Sequence, residues 1–230
     1  MLRAPALVPT GTPSILTMSQ NDWFAWHSGY DDPGSGLSRR LATVQARLAD
    51  ALDRCRAGPV QVVSMCAGQG RDILGVLARH ARAGDVVARL VEFDPRNAAL
   101  ARQGASLFAG VEVLEADAGC TDAYVGAVPA DILLACGVFG NISDDDVHRT
   151  VAACPSLCAP GAAVIWTRHR QAPDITPRVR DWFRSAGFAE EAFDVSEDTL
   201  MAVGSHRLTG EVLPFRSGQY LFRFDGRRHR

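Results

Sequence analysis

Residues 60–72 read VQVVSMCAGQGRD. The run from Val60 to Met65 is apolar apart from Gln61 and Ser64, and it ends at two glycines separated by one residue. Ile73, Leu74 and Leu77 then recur at helical spacing. The pattern is a buried strand, a tight turn and a helix. Gly68 and Gly70 let the backbone turn sharply and let a ligand come close with no Cβ in the way. The amides at the start of the helix are free to meet it.

The same unit repeats downstream. VVARLVEF (86–93) is a second strand, and Asp94-Pro95 opens the next helix, which runs to about Gln103. Val111–Glu115 is a third strand with Asp117 just past its end. A short helical turn at 121–125 precedes DILLAC (131–136), nearly all apolar, as a central parallel strand should be. Ser143 caps a helix with acids in its first turn. Residues 162–167 form a fifth strand, and Thr176-Pro177 opens a helix that Gly187 closes. Phe188–Val195 and Gln219–Phe224 are the expected last two strands. Upstream, Leu37, Leu41, Val44, Leu48 and Leu52 make one apolar helical stripe that Gly58-Pro59 stops, and Gly84 is the expected end of the helix after the first strand. Strands alternating with helices predict an α/β, Rossmann-like doubly wound fold. The expected sheet has seven strands, is mostly parallel with an antiparallel last strand, and carries helices on both faces.

Composition adds bounds. The chain has 230 residues, 47% apolar and 22% charged, with a formal charge of −2. That balance lacks the basic footprint of a nucleic-acid binder. Residues 1–20, broken by Pro5, Pro9 and Pro13, are expected to be disordered and too short and interrupted for a signal peptide or a membrane helix. Residues 21–58 form a helical cap or lid, and 59–230 the doubly wound domain. The tail Arg227–Arg230 reads as a solvated end. Cys55, Cys66, Cys120, Cys136, Cys154 and Cys158 have no metal-site spacing, so free thiols in the cytoplasm and no metal are expected.

Doubly wound sheets bind ligands at the carboxyl ends of their strands. Glu92 ends the second strand, at the distance from the glycines that suits an acid gripping a ribose. Phe93 can lie on an adenine face. Asp117, followed by Ala118, can accept from an adenine amino group. Three successive strand ends thus carry what one adenosine needs. A third glycine, expected of a dinucleotide loop, is replaced by Ile73, which disfavours a nicotinamide dehydrogenase.

From about Val60 to Phe224 the chain resembles the class I S-adenosylmethionine-dependent methyltransferases. CAGQGRD is similar to their glycine-rich cofactor loop, VEFDP to their acidic second motif, EADAG to the third, ILLACGVFGNI to the fourth, and SLCAPGAAVIWTRHR to the segment into the fifth strand. The resemblance implies S-adenosyl-L-methionine as cofactor, held by Cys66, Ala67, Gly68, Gln69, Gly70, Asp72, Glu92, Phe93, Asp117, Ala118, Cys136, Gly137 and Val138. It places Gly68 and Gly70 along the methionine part, and Cys136 and Gly137 beside the sulfonium, with Val138 and Phe139 nearby.

The acceptor is less defined. The fourth motif lacks Asn-Pro-Pro-Tyr or Asp-Pro-Pro-Tyr, which by the family's pattern disfavours methylation of an adenine amine or a glutamine amide. Trp23, Trp26 and Tyr30, with Phe139 and Asn141, are candidate substrate contacts, the first three on a lid or on a helix against the sheet edge. His27, His169 (just past the fifth strand) and His206 (in the loop before the last strand) are candidate catalytic bases. His148 reads as a surface residue. The expected activity is methyl transfer to oxygen or nitrogen of a small organic molecule. An RNA methyltransferase and a non-catalytic cofactor-binding protein are the alternatives.

Overall fold

The computed structural model describes residues 22–196 and 199–224. The expected disordered start at 1–20 and the basic tail at 227–230 lie outside the described residues. In chain order the elements are α1 (Trp23–Trp26), a 3-10 turn (His27–Asp31), α2 (Gly36–Arg54), β1 (Val60–Met65), α3 (Arg71–Leu77), a 3-10 turn (Ala83–Asp85), β2 (Val86–Glu92), α4 (Pro95–Ala105) and β3 (Val111–Glu115). There follow a 3-10 turn (Thr121–Tyr124), β4 (Ala130–Ala135), α5 (Asp144–Leu157), β5 (Cys158–His169), α6 (Thr176–Ser185), β6 (Phe188–Val195) and β7 (Met201–Leu208).

The seven strands lie in the order β3-β2-β1-β4-β5-β7-β6. The five from β3 to β5 are mutually parallel, and β7 runs antiparallel to both of its neighbours. Strand order reverses between β1 and β4, so the crevice for a ligand opens above those two strands. In β4, Ile132, Leu133, Leu134 and Ala135 are all fully buried, the signature of a strand covered on both faces. One face carries a core of Met65, Leu133, Tyr124, Trp166 and Phe183. The other carries Leu48, Val62, Ile73, Ile132 and Ile165. Helix α2 belongs to this second layer: Val44, Leu48, Ala51 and Leu52 are buried, and each fully buried leucine contributes roughly 1.5–3 kcal/mol of transfer free energy.

The caps agree with the sequence. Asp94 accepts the Arg96 N–H at 2.8 Å ahead of Pro95, and Ser143 accepts the Asp146 N–H at 3.1 Å. Gly187, with φ +87°, follows α6. Helix α3 is shorter than expected, ending at Leu77 rather than at Gly84, and β5 begins four residues early, at Cys158.

The last strand is the main correction. Gln219–Phe224 is not in the sheet; the seventh strand is Met201–Leu208, inserted between β5 and β6. That stretch hides because Gly204, Ser205 and His206 interrupt its apolar pattern, yet it is an interior strand with no face in water. Gly204 is required by its neighbour: a Cβ there would come within 2.5 Å of Trp166 Nε1 on β5. Residues 219–224, dense in aromatics, instead form an extended strap. Leu221 N–H donates to Gly119 O at 2.8 Å, Arg223 N–H donates to Asp146 Oδ2 at 3.2 Å, and Leu221 and Phe222 are buried.

Candidate functional site

The turn after β1 is built from left-handed residues. Cys66, Gly68 and Gly70 have φ of +50°, +56° and +70°. Only the glycines are free of a Cβ penalty there, and a Cβ on Gly70 would press Leu90 Cδ2 at 2.8 Å. Ala67 N–H remains tied to Val91 O on β2 at 2.9 Å, so the turn is anchored to the neighbouring strand. Gln69 donates to Asn97 Oδ1 at 3.3 Å and accepts from Arg71 Nε at 2.9 Å, which joins the turn to α4. Asn97 is fully buried, and its Nδ2 has no partner among the described residues.

Glu92 meets this turn directly. Its Oε2 accepts the Gly68 N–H at 2.7 Å and its Oε1 accepts the Asp94 N–H at 2.8 Å. Burial pushes the Glu92 carboxyl up, and these backbone donors oppose the shift. Each oxygen keeps a lone pair for a further donor. Asp117 stands exposed two residues beyond Glu115, the register partner of Glu92. Its Oδ1 accepts the Gly119 N–H at 2.8 Å. Burial raises the Cys66 thiol pKa well above its usual range, and the charges of Glu92 and Asp117 add to that rise. The ends of β1, β2 and β3 are neighbours in the sheet, with Ala67 N–H on Val91 O at 2.9 Å and Ala116 N–H on Glu92 O at 3.1 Å, so the three strand ends converge on one place. Ala118 is buried beside it, and Phe93 is 75% exposed, with its ring open to a ligand.

Across the switch point, Cys136 is half-buried, and burial pushes its thiol up. Gly137, with φ +78°, donates its N–H to Thr167 Oγ1 at 2.8 Å. Asn141 is exposed and its Nδ2 donates to Gly137 O at 2.7 Å, so it braces this loop. Val138 and Phe139 are fully buried, and the Phe139 ring centre lies 5.9 Å from Trp166 and 6.4 Å from Phe183. Phe139 is thus a core residue, which corrects its expected contact with substrate: the chain turns after Gly137 and drives the ring under α6.

The N-terminal segment crosses the mouth. Asp22, ahead of α1, pairs with Arg96 at 2.8 Å, and Asp31, after the 3-10 turn, pairs with Arg71 at 2.8 Å. Trp26 packs edge-on against His27 and Tyr30, at 5.3 Å and 5.6 Å between ring centres, and Trp23 lies 6.3 Å from Phe224 of the strap. His27 Nδ1 bonds Trp23 O at 2.6 Å, and its ring packs against Gly68. Burial holds the His27 imidazole below its usual pKa, with the Arg71 and Arg40 charges adding to the effect.

His169 ends β5 at the rim, its ring against Gly140, and its buried Nδ1 has no partner among the described residues. Burial and then the Arg168 charge hold it below the usual histidine value. His206 is elsewhere. It lies inside β7 opposite Val164, is 1% exposed, accepts from Trp166 Nε1 at 3.2 Å and stacks on Phe183. It is a core residue rather than a loop base, because the seventh strand is Met201–Leu208, which contains it, and not Gln219–Phe224. His148 is exposed, as expected.

The sequence reading missed Arg40. Its guanidinium donates to Tyr30 Oη at 2.5 Å and the residue is only 8% exposed. The signal was present: Arg40 lies four residues before Val44 and eight before Leu48, on the buried stripe of α2. Asp72, 8% exposed on the first turn of α3, has its pKa raised by burial and feels the Arg40 charge. Among the described residues no cluster of side chains suits a metal ion, and no helix is long and apolar enough to cross a membrane.

No protein-family model matches the chain, and no curated protein matches it. Solved structures do. An O-methyltransferase family protein from Burkholderia thailandensis is 16% identical with a TM-score of 0.62, over 88% of this chain and 64% of that one. Magnesium protoporphyrin IX methyltransferase from Synechocystis PCC 6803, with bound SAM, is 12% identical with a TM-score of 0.59, over 82% of this chain and 92% of that one. The N-methyltransferase NodS from Bradyrhizobium japonicum WM9 is 15% identical with a TM-score of 0.55, over 78% of this chain and all of that one. The chain is built on the fold of the class I S-adenosylmethionine-dependent methyltransferases.

Proposed function

We propose that this protein is an S-adenosylmethionine-dependent methyltransferase that acts on oxygen or nitrogen of a small organic molecule. The observation that carries the reading is the contact between Gly68 and Glu92, with Asp117 close enough to act on the same thiol, Cys66. The residues fit the cofactor. Glu92 offers a fixed carboxylate to a ribose diol, Asp117 an exposed acceptor to the adenine amine, and Phe93 a ring face. Gly68, Gly70 and Gly137, all at positive φ, let the backbone approach the amino-acid part.

When bound, the sulfonium supplies an activated methyl group, so the protein mainly has to orient the acceptor and exclude water. The aromatic lid of Trp23, Trp26 and Tyr30 does the second. His169, unprotonated at neutral pH, takes the proton that the acceptor gives up. The formal charge of −2 supports a small molecule over RNA. The six unpaired cysteines support work in the reducing cytoplasm.

Calorimetric titration with S-adenosylmethionine and, separately, with NAD tests the reading. Saturable binding of the first alone is expected. Binding of NAD without S-adenosylmethionine overturns it. Transfer of a labelled methyl group into a small-molecule extract then separates an enzyme from a silent binder.

A further inference from the structure

Two arginines are equally buried, each 8% exposed. Arg168 is answered: it donates to Phe139 O and pairs with Asp144 at 3.4 Å. Arg40 makes no ion pair among the described residues. Among the described residues its side chain makes one hydrogen bond, to the neutral phenol of Tyr30, and its guanidinium lies 5.4 Å from the Trp26 ring centre and 5.9 Å from that of Tyr30. A buried cation without a counter-charge is costly, and its usual resolution is an anion. The nearest acid whose charge couples to it, Asp72, is beyond ion-pair distance and bonded to the Ile73 N–H at 2.8 Å.

Position narrows the choice of anion. Arg40 lies on α2, which packs against α3, β5 and β7. Those two strands lie across β1 and β4 from β2 and β3, so Arg40 stands on the side of the mouth away from Glu92 and Asp117. A nucleoside held by those two acids, with a tail running over Gly68 toward β4, ends at Arg40. We infer that Arg40, held by Tyr30, receives the carboxylate of the cofactor's amino-acid tail, and so ties the lid to an intact tail. A guanidinium is suited to this by its planar, forked donors.

The inference rests on the proposed methyltransferase reading, and its test separates the two. Affinities for S-adenosylhomocysteine and for its decarboxylated analogue, which keeps the ammonium, are measured by calorimetry. The wild type should prefer the carboxylate form by at least about tenfold. In Arg40→Gln that form should weaken roughly 10- to 100-fold, the range for a hydrogen bond to a charged group, with the analogue almost unchanged. Arg40→Lys should recover part of the preference. If Arg40→Gln fails to fold, Tyr30→Phe provides the second variant, with a loss of about threefold or more confined to the carboxylate form. Equal weakening of both ligands, or no preference in the wild type, overturns the carboxylate role. If neither ligand binds the wild type, it is the methyltransferase reading that fails.

Discussion

The imidazole of His27 stands against the α-carbon of Gly68: a side-chain carbon built on that glycine would collide with Nε2 and lie 2.9 Å from Cε1. With φ at +56°, Gly68 is therefore fixed twice, by its own backbone and by the His27 ring against it. Gly68→Ala should cost about 2–4 kcal/mol by urea unfolding, of which roughly 1–2 is left-handed strain. In a His27→Ala background only the strain should remain. An equal loss in both backgrounds would show that the ring yields freely.

Glu92 accepts two backbone N–H groups and, in the proposed function, a ribose. Glu92→Ala should weaken S-adenosylhomocysteine binding by roughly 1–3 kcal/mol and lower stability on a similar scale, since the Gly68 and Asp94 N–H groups lose their acceptor. Calorimetry and urea unfolding measure the two losses. Unchanged affinity in a folded variant would count against the ribose assignment.

His169 should govern the acid side of the rate profile. Its base form predominates at neutral pH because burial and Arg168 hold its pKa below 6.5. Turnover should fall as pH drops through that lowered value. His169→Asn should lose that limb and cut kcat by roughly 10²- to 10⁴-fold, with cofactor affinity intact. A variant that keeps both rate and profile excludes it as the base.

His206 should make the fold sensitive to acid. Its folded pKa is about 4, depressed by burial from the usual 6.5, while the unfolded chain protonates near 6.5. The unfolded state thus binds the extra proton first. Stability should fall as pH drops from 6.5 to about 4, by about 3 kcal/mol in total, and level off below that. Urea midpoints at pH 7.5 and 4.5 check this. His206→Phe should be flatter across the window, and a slope as steep as the wild type's would place its cause elsewhere.

Phe222, fully buried in the strap, should behave as core although it lies outside the sheet. Phe222→Ala should cost about 3–5 kcal/mol, the usual range for a buried aromatic. A loss under about 1 kcal/mol would mean that the strap is docked only loosely.

What the sequence disclosed follows from what each signal depends on. Strands β1 and β4 were legible because burial on both faces leaves mostly apolar runs, interrupted only by Gln61 and Ser64 in β1 and by Asp131 in β4. Glu92 and Asp117 were legible because the fold puts ligands at strand ends. Strand β7 was not, since Gly204 is explained only by Trp166, which is distant in sequence and visible only as a neighbour in space. Arg40 was missed because arginine is solvent-facing by type, although the structure puts it on the buried stripe of α2 with Val44 and Leu48. The left-handed turn at Cys66 has no signal in a residue that usually avoids it.

The N-terminal segment is held by pairs at its two ends, Asp22 with Arg96 and Asp31 with Arg71, and in each pair at least one side chain is more than half exposed. Exposed pairs of this kind contribute little to stability and act over a screening distance of roughly 8 Å at physiological ionic strength. The hold on the mouth is therefore set as much by the surrounding electrolyte as by the protein. Added salt should loosen it from both ends together and shorten the time a molecule stays beneath.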